Sequence, residues 1–192
     1  MKKSPHKHKS VFSEIDYNSG EGMLTSVWGP MLWNFLHVMS FNYPVHPDLE
    51  TQNHYRDFIL SLKNVLPCKY CRINLTKNFK KLPLTMDRMK NRESFSRYIY
   101  ELHELINQML NKKSNLSYED VRDRFETFRS KCVKSPYNNK SRKKSIKKSR
   151  KKSHSGCVEP FYGKKSKCII KIVPQDNIED TFKIHRSCKL KK

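Results

Sequence analysis

Two cysteines three residues apart, in Cys68-Lys69-Tyr70-Cys71, carry the most specific chemistry in the sequence. At the start of a helix such a pair can close a disulfide, and the free backbone N–H groups of the first turn lower the pKa of a thiolate left there. The other common use of the motif is half of a structural zinc site, which needs two more ligands at short spacing. Cysteines 132, 157, 168 and 188 are not paired in that way, so the sequence is read as holding no metal. A thioredoxin-like site uses the same spacing after a strand, whereas here the pattern on both flanks is helical.

A second set of residues is polar or aromatic and shares helical phasing. Trp33 and His37 stand one turn apart, as do His103 and Asn107, with Lys112 and Lys113 just beyond. Taken singly, a helical Trp is usually core and a lone His is usually a satisfied core or surface residue. Taken together they offer stacking surface, hydrogen bonds and positive charge. Those are the needs of a flat isoalloxazine and an adenine joined by a diphosphate.

The elements that must position these groups follow from apolar periodicity. Leu32, Phe35, Leu36 and Met39 predict a helix over 31–41, with order beginning near Val27 and Pro44 and Pro47 ending it. Tyr55, Phe58, Ile59, Leu62, Val65 and Leu66 predict a second over 53–66, stopped by Pro67. A third starts at the cysteine pair and is closed by Pro83. Phe95, Tyr98, Ile99, Leu102, Leu105, Ile106, Met109 and Leu110 mark the longest helix, and a shorter fifth runs from a Ser117 cap to about Lys131. No segment of this region alternates as a strand does. The fold class is therefore all-α, a small bundle of four to five helices.

Charge divides the chain. From Lys134 onward there are 19 Lys and Arg against 4 Asp and Glu, which is +15 of the total net charge of +22. Residues 1–23 read as a turn-rich leader that does not pack, 24–133 as the helical domain, 134–156 as a basic low-complexity linker, and 157–192 as a tail containing cysteines. In that tail Phe161, Tyr162 and the run Ile169 to Val173 suggest a small hairpin pinned by cysteines. No apolar run approaches the roughly 18 residues of a membrane span. The Lys-rich start has no apolar core behind it, so a secretory signal is not expected.

The order Trp28-Gly29-Pro30-x-x-Trp33-x-x-Leu36-His37, then Leu66-Pro67-Cys68-x-x-Cys71, then Leu102-His103-x-x-Ile106-Asn107-x-x-Leu110-Asn111-Lys112-Lys113 resembles the Erv/Alr FAD-linked sulfhydryl oxidases. Its spacing is most like that of the short members encoded by large cytoplasmic DNA viruses. The resemblance covers about residues 27 to 130. It implies a helical bundle that binds FAD, works as a homodimer, and oxidises dithiols with release of hydrogen peroxide. Its substrate would be a thiol-containing protein, either a final client or a thioredoxin-like relay. The resemblance makes Cys71 the cysteine beside the flavin and Cys68 the one that exchanges with substrate. Gly29, Trp33, His37, His103, Asn107 and Lys112 match cofactor-contacting positions, and Phe125 is matched to an aromatic residue that closes over the adenine. Where the family has His-Asn this chain has His103-Glu104, which puts a carboxylate near the diphosphate unless it points away. Cys157 and Cys168 are candidates for a mobile shuttle pair or for a staple within the tail, with Cys132 or Cys188 as alternative partners. The viral resemblance points to the host cytoplasm or the virion. The competing reading from composition is a nucleic-acid-binding or packaging protein that uses the basic tail, with structural cysteines.

Overall fold

The computed structural model describes residues 11–133, 156–180 and 182–189; the basic linker, Gly156 excepted, lies outside them. Seven α-helices and one two-stranded sheet form among these residues, in agreement with the all-α reading.

A one-turn helix α1, Glu14–Tyr17, opens the described chain with a Ser13 capping box. Helix α2, Thr25–Phe41, starts six residues before Met31 and carries Pro30 inside it. Proline there removes one hydrogen-bond donor, but the helix continues because Trp28 anchors its first turns. The Trp28 indole donates to Met23 O at 3.0 Å and packs on the core. Helix α3, Leu49–Val65, begins earlier than the apolar stripe suggested because Asp48 caps it, accepting from Thr51 N at 2.7 Å. Helix α4, Lys69–Lys81, follows the Pro67 break, and a short α5, Met86–Met89, was not foreseen. Helix α6, Arg92–Met109, is capped by Asn91 and is the longest; α7, Tyr118–Glu126, has the expected Ser117 cap, completed by Asp120.

The periodic residues in the first three turns of α6 do what their spacing requires, whereas Met109 and Leu110 at its end are exposed. Phe95, Tyr98 and Ile99 are fully buried and join Leu36, Ile59, Leu62, Leu75 and Met89 in one core. A satellite core of Phe41, Tyr118, Val121 and Phe125 joins the end of α2 to α7. Helix α2 packs on α6, and α4 packs on α3 and α6, so the ring residues and the cysteine pair sit on one body.

Three sequence expectations are corrected. The fifth helix stops at Glu126, and residues Ser130–Val133 form strand β1 instead. Strand β2, Gly156–Pro160, pairs with it antiparallel, while Ile169 to Val173 form no strand, with Ile169, Ile170 and Ile172 exposed. The partner that makes the strand is distant in sequence, which local periodicity cannot reveal. The leader also touches the domain. Gly22 forms an antiparallel bridge with Cys68, and Met23 N donates to Pro67 O at 2.8 Å. Gly22 has φ +117°, and a Cβ there would lie 2.7 Å from Pro67 O, so glycine is required for this close approach.

Candidate functional site

Cys68 and Cys71 are joined by a disulfide, with Cα atoms 5.2 Å apart. Cys68 is the N-cap of α4, and its sulfur accepts from Cys71 N at 3.2 Å, the place an Asp or Ser oxygen takes at α3 and α7. Cys71 is half-buried against the main core. A sulfur released as thiolate at either position lies within the first turn of α4, where unpaired N–H groups and the helix dipole stabilise negative charge.

Helices α2 and α6 bring the second set of residues together as their phasing predicts. The Trp33 and His103 rings stack at 3.9 Å with 7° between their planes. His37 Nε2 and His103 Nδ1 are hydrogen-bonded at 3.0 Å, and the Phe125 ring of α7 lies over His37 at 5.0 Å and 22°. Burial, then the neighbouring His103 and Arg124, holds His37 down to about pKa 3. Burial likewise lowers His103 to about 4, with Glu104 opposing and Lys112 assisting. Both imidazoles are therefore neutral near pH 7, and one N–H serves their shared bond. His37 Nδ1 is buried without a hydrogen-bond partner among the described residues.

The remaining candidates divide. Asn111 ends α6 in the left-handed conformation, φ 54°, and turns the chain so that Lys112 N donates back to Asn107 O at 2.8 Å. That turn sets Lys112 beside the ring cluster, close enough to act on His103. Asn107 commits one N–H of its amide to Glu104, Nδ2 donating to Oε1 at 2.9 Å. The unusual carboxylate therefore stays at the site rather than pointing clear of it. At Gly29 a Cβ would meet nothing within 4 Å, so the helix surface is open there. Cys157 is disulfide-bonded, and its backbone partner across the sheet is Cys132. Cys168 is a free, exposed thiol, so Cys157 and Cys168 are not partners of one another. Sequence reasoning missed Arg124, which flanks Phe125 with no motif to mark it.

These groups fit a flavin nucleotide. A flat ring could use the aromatic face, Lys112 and Arg124 carry positive charge near the cluster, and the neutral histidines offer hydrogen-bonding nitrogens without charge. Because Trp33 and His103 are already in contact, no ring fits between them. A planar cofactor would lie against an outer face of the stack.

Comparison with known proteins agrees with this reading. The model of the Erv1 / Alr family matches residues 30–126, about half of the chain. The chain is 33% identical over 111 residues to a protein of Acanthamoeba polyphaga mimivirus named "Probable FAD-linked sulfhydryl oxidase", covering 58% of this chain and 77% of that one. It is 29% identical over 99 residues to an "FAD-linked sulfhydryl oxidase" of African swine fever virus, covering 52% and 80%. In fold it is similar to the yeast Erv1 core, with TM-score 0.50 and 19% identity over 64% of this chain and 96% of that one.

Proposed function

The chain belongs to the Erv1 / Alr family, and from that premise we propose that it is an FAD-dependent thiol oxidase that makes disulfide bonds through Cys68 and Cys71. The observation that carries the proposal is the closed disulfide at the start of α4, with Cys71 and Trp33 packed on the same core. No observation favours the nucleic-acid reading, whose basic segment lies largely outside the described residues.

A substrate thiolate attacks Cys68 Sγ, the S–S bond breaks, and Cys71 leaves as a thiolate held in the first turn of α4. A second substrate thiol then displaces Cys68, giving the substrate disulfide and the Cys68/Cys71 dithiol. The Cys68/Cys71 dithiol re-closes to the disulfide by giving up two electrons and two protons, for which bound FAD would supply the two-electron acceptor and O2 the final one, yielding H2O2. Trp33, His37, His103 and Phe125 supply the faces and nitrogens against which the ring system is held. Lys112 and Arg124 meet the diphosphate, and Gly29 leaves room for close approach. Asn107 would meet the cofactor with the amide atoms it does not give to Glu104, and the Glu104 carboxylate would oppose the diphosphate.

The partner is a dithiol protein, either a client or a thioredoxin-like relay, together with oxygen. A homodimer is favoured by an apolar strip on the outside of α2, where Met31, Phe35 and Val38 recur at helical spacing and are at least 40% exposed. Phe58 of α3 continues the strip, edge-on to Phe35. Among the described residues no helix is long and apolar enough to cross a membrane. The viral relatives favour a virus-encoded enzyme acting in host cytoplasm or virion. In favour of a staple over a Cys157/Cys168 shuttle, Cys157 is disulfide-bonded opposite Cys132 in the sheet while Cys168 is a free thiol.

Cysteine variants test the reading. Cys71→Ser should abolish reduction of bound FAD by dithiothreitol, while Cys68→Ser should leave a thiolate whose contact with flavin gives a long-wavelength absorption band. The reverse pattern would exchange the two roles. A colourless protein that refuses added FAD would sink the assignment.

A further inference from the structure

The ring cluster does not end with the family-matched residues. Phe182, in the tail, lies over Phe125 at 6.2 Å and 21°, and edge-on to Phe128 at 6.3 Å and 86°. The Arg124 guanidinium stands over the Phe182 ring, 5.6 Å from its centre. The rings thus form a continuous series from Trp33 through His103, His37 and Phe125 to Phe182.

The tail is tied down at several points. Strand β2 pairs with β1 just after α7, Cys157 is disulfide-bonded in that strand, and Phe161 N donates to Arg129 O at 2.9 Å. Lys164 N donates to Ser187 O at 2.9 Å, which closes the segment between them into a loop. Gly163 makes that closure possible: with φ +66°, it approaches Cys188 so closely that a Cβ would lie 2.8 Å from the Cys188 carbonyl carbon. Phe182 lies on this loop, so its place on Phe125 is set by the loop's anchors as well as by its own contacts.

We propose that Phe182 is a positioning residue of the cofactor site, supplied by the tail, which holds Phe125 against His37 and so slows release of the flavin nucleotide. The inference rests on the FAD reading above. Residues 156–189 lie outside the 30–126 match, so the family alone gives this position no role. Aromatic pairs add modestly to burial, and the loss of one corresponds to roughly two- to tenfold faster release.

The test is FAD release from the full-length protein, followed by recovery of free-flavin fluorescence on dilution. Phe182→Ala and Phe182→Leu should both release FAD faster, the second while keeping an apolar contact and an unchanged circular dichroism spectrum. Phe182→Tyr should restore the wild-type rate. Wild-type release from Phe182→Leu and Phe182→Ala, or failure of Phe182→Tyr to restore it, would overturn the inference and leave the FAD reading intact. A wild-type protein that binds no FAD would overturn both.

Discussion

Lowering the pH from 7 to 5 should destabilise the fold through the His37/His103 pair. Each imidazole is kept neutral in the native state because burial penalises its charge, whereas in the unfolded chain it titrates near its ordinary value of 6.5. Below pH 6.5 the unfolded state therefore binds more protons than the native state, and stability falls as pH falls until the native pKa values are reached. Well above pH 6.5 both states are neutral and the pair contributes no slope. Between pH 7 and 5 the integrated loss is about 2 kcal/mol for each histidine and about 4 kcal/mol for the two. That is a large share of a typical stability of about 5–15 kcal/mol. Urea unfolding at several pH values measures it. The carboxylates with lowered pKa, Asp16 and Asp48, contribute mainly below this window. His103→Gln should halve the loss to about 2 kcal/mol, because His37 remains buried. A stability that changes by less than about 1 kcal/mol between pH 7 and 5, or the same slope in His103→Gln, would refute the reasoning.

Two further outcomes follow from neighbouring residues. Glu104→Gln keeps an acceptor for Asn107 Nδ2 but removes a carboxylate from beside the candidate diphosphate site, so FAD affinity measured by fluorescence titration should rise roughly two- to fivefold, and unchanged or weaker binding would count against that placement. Phe35→Glu places a charge at the centre of the exposed α2 strip and should convert a dimer to a monomer in sedimentation equilibrium; a dimer that survives it would locate the interface elsewhere.

The sequence was most legible where one period governed many residues. The α6 stripe of Phe95, Tyr98, Ile99 and Leu102 is buried throughout, and the phasing that brings Trp33, His37 and His103 together follows from α2 and α6 alone. Helix ends were less legible. The apolar stripe begins near Met31, yet the helix starts at Thr25 and runs through Pro30, with the Trp28 indole bonded to Met23 O and packed on the core; Asp48 after Pro47 is a cap whose stripe begins only a turn later. What depended on distant partners could not be read at all. Nothing in the polar surroundings of Phe182 announces a contact with Phe125, and β1 is a strand only because β2 lies beside it. The pairing of Gly22 with Cys68 is equally nonlocal, with φ +117° the physical reason that a glycine stands there.

That pairing bears on how the enzyme chooses its clients. Many proteins recognise an extended peptide by adding it as a strand, and the main-chain bonds so formed supply affinity independent of side chains. Beside Cys68 the chain has made this addition to itself: Gly22 and Met23 occupy the backbone of Cys68 and Pro67 on that flank. A client cannot be gripped there by strand augmentation in cis-like register. On that flank what is left to a client is the thiol and its access to the Cys68 sulfur, because the backbone beside it is already taken.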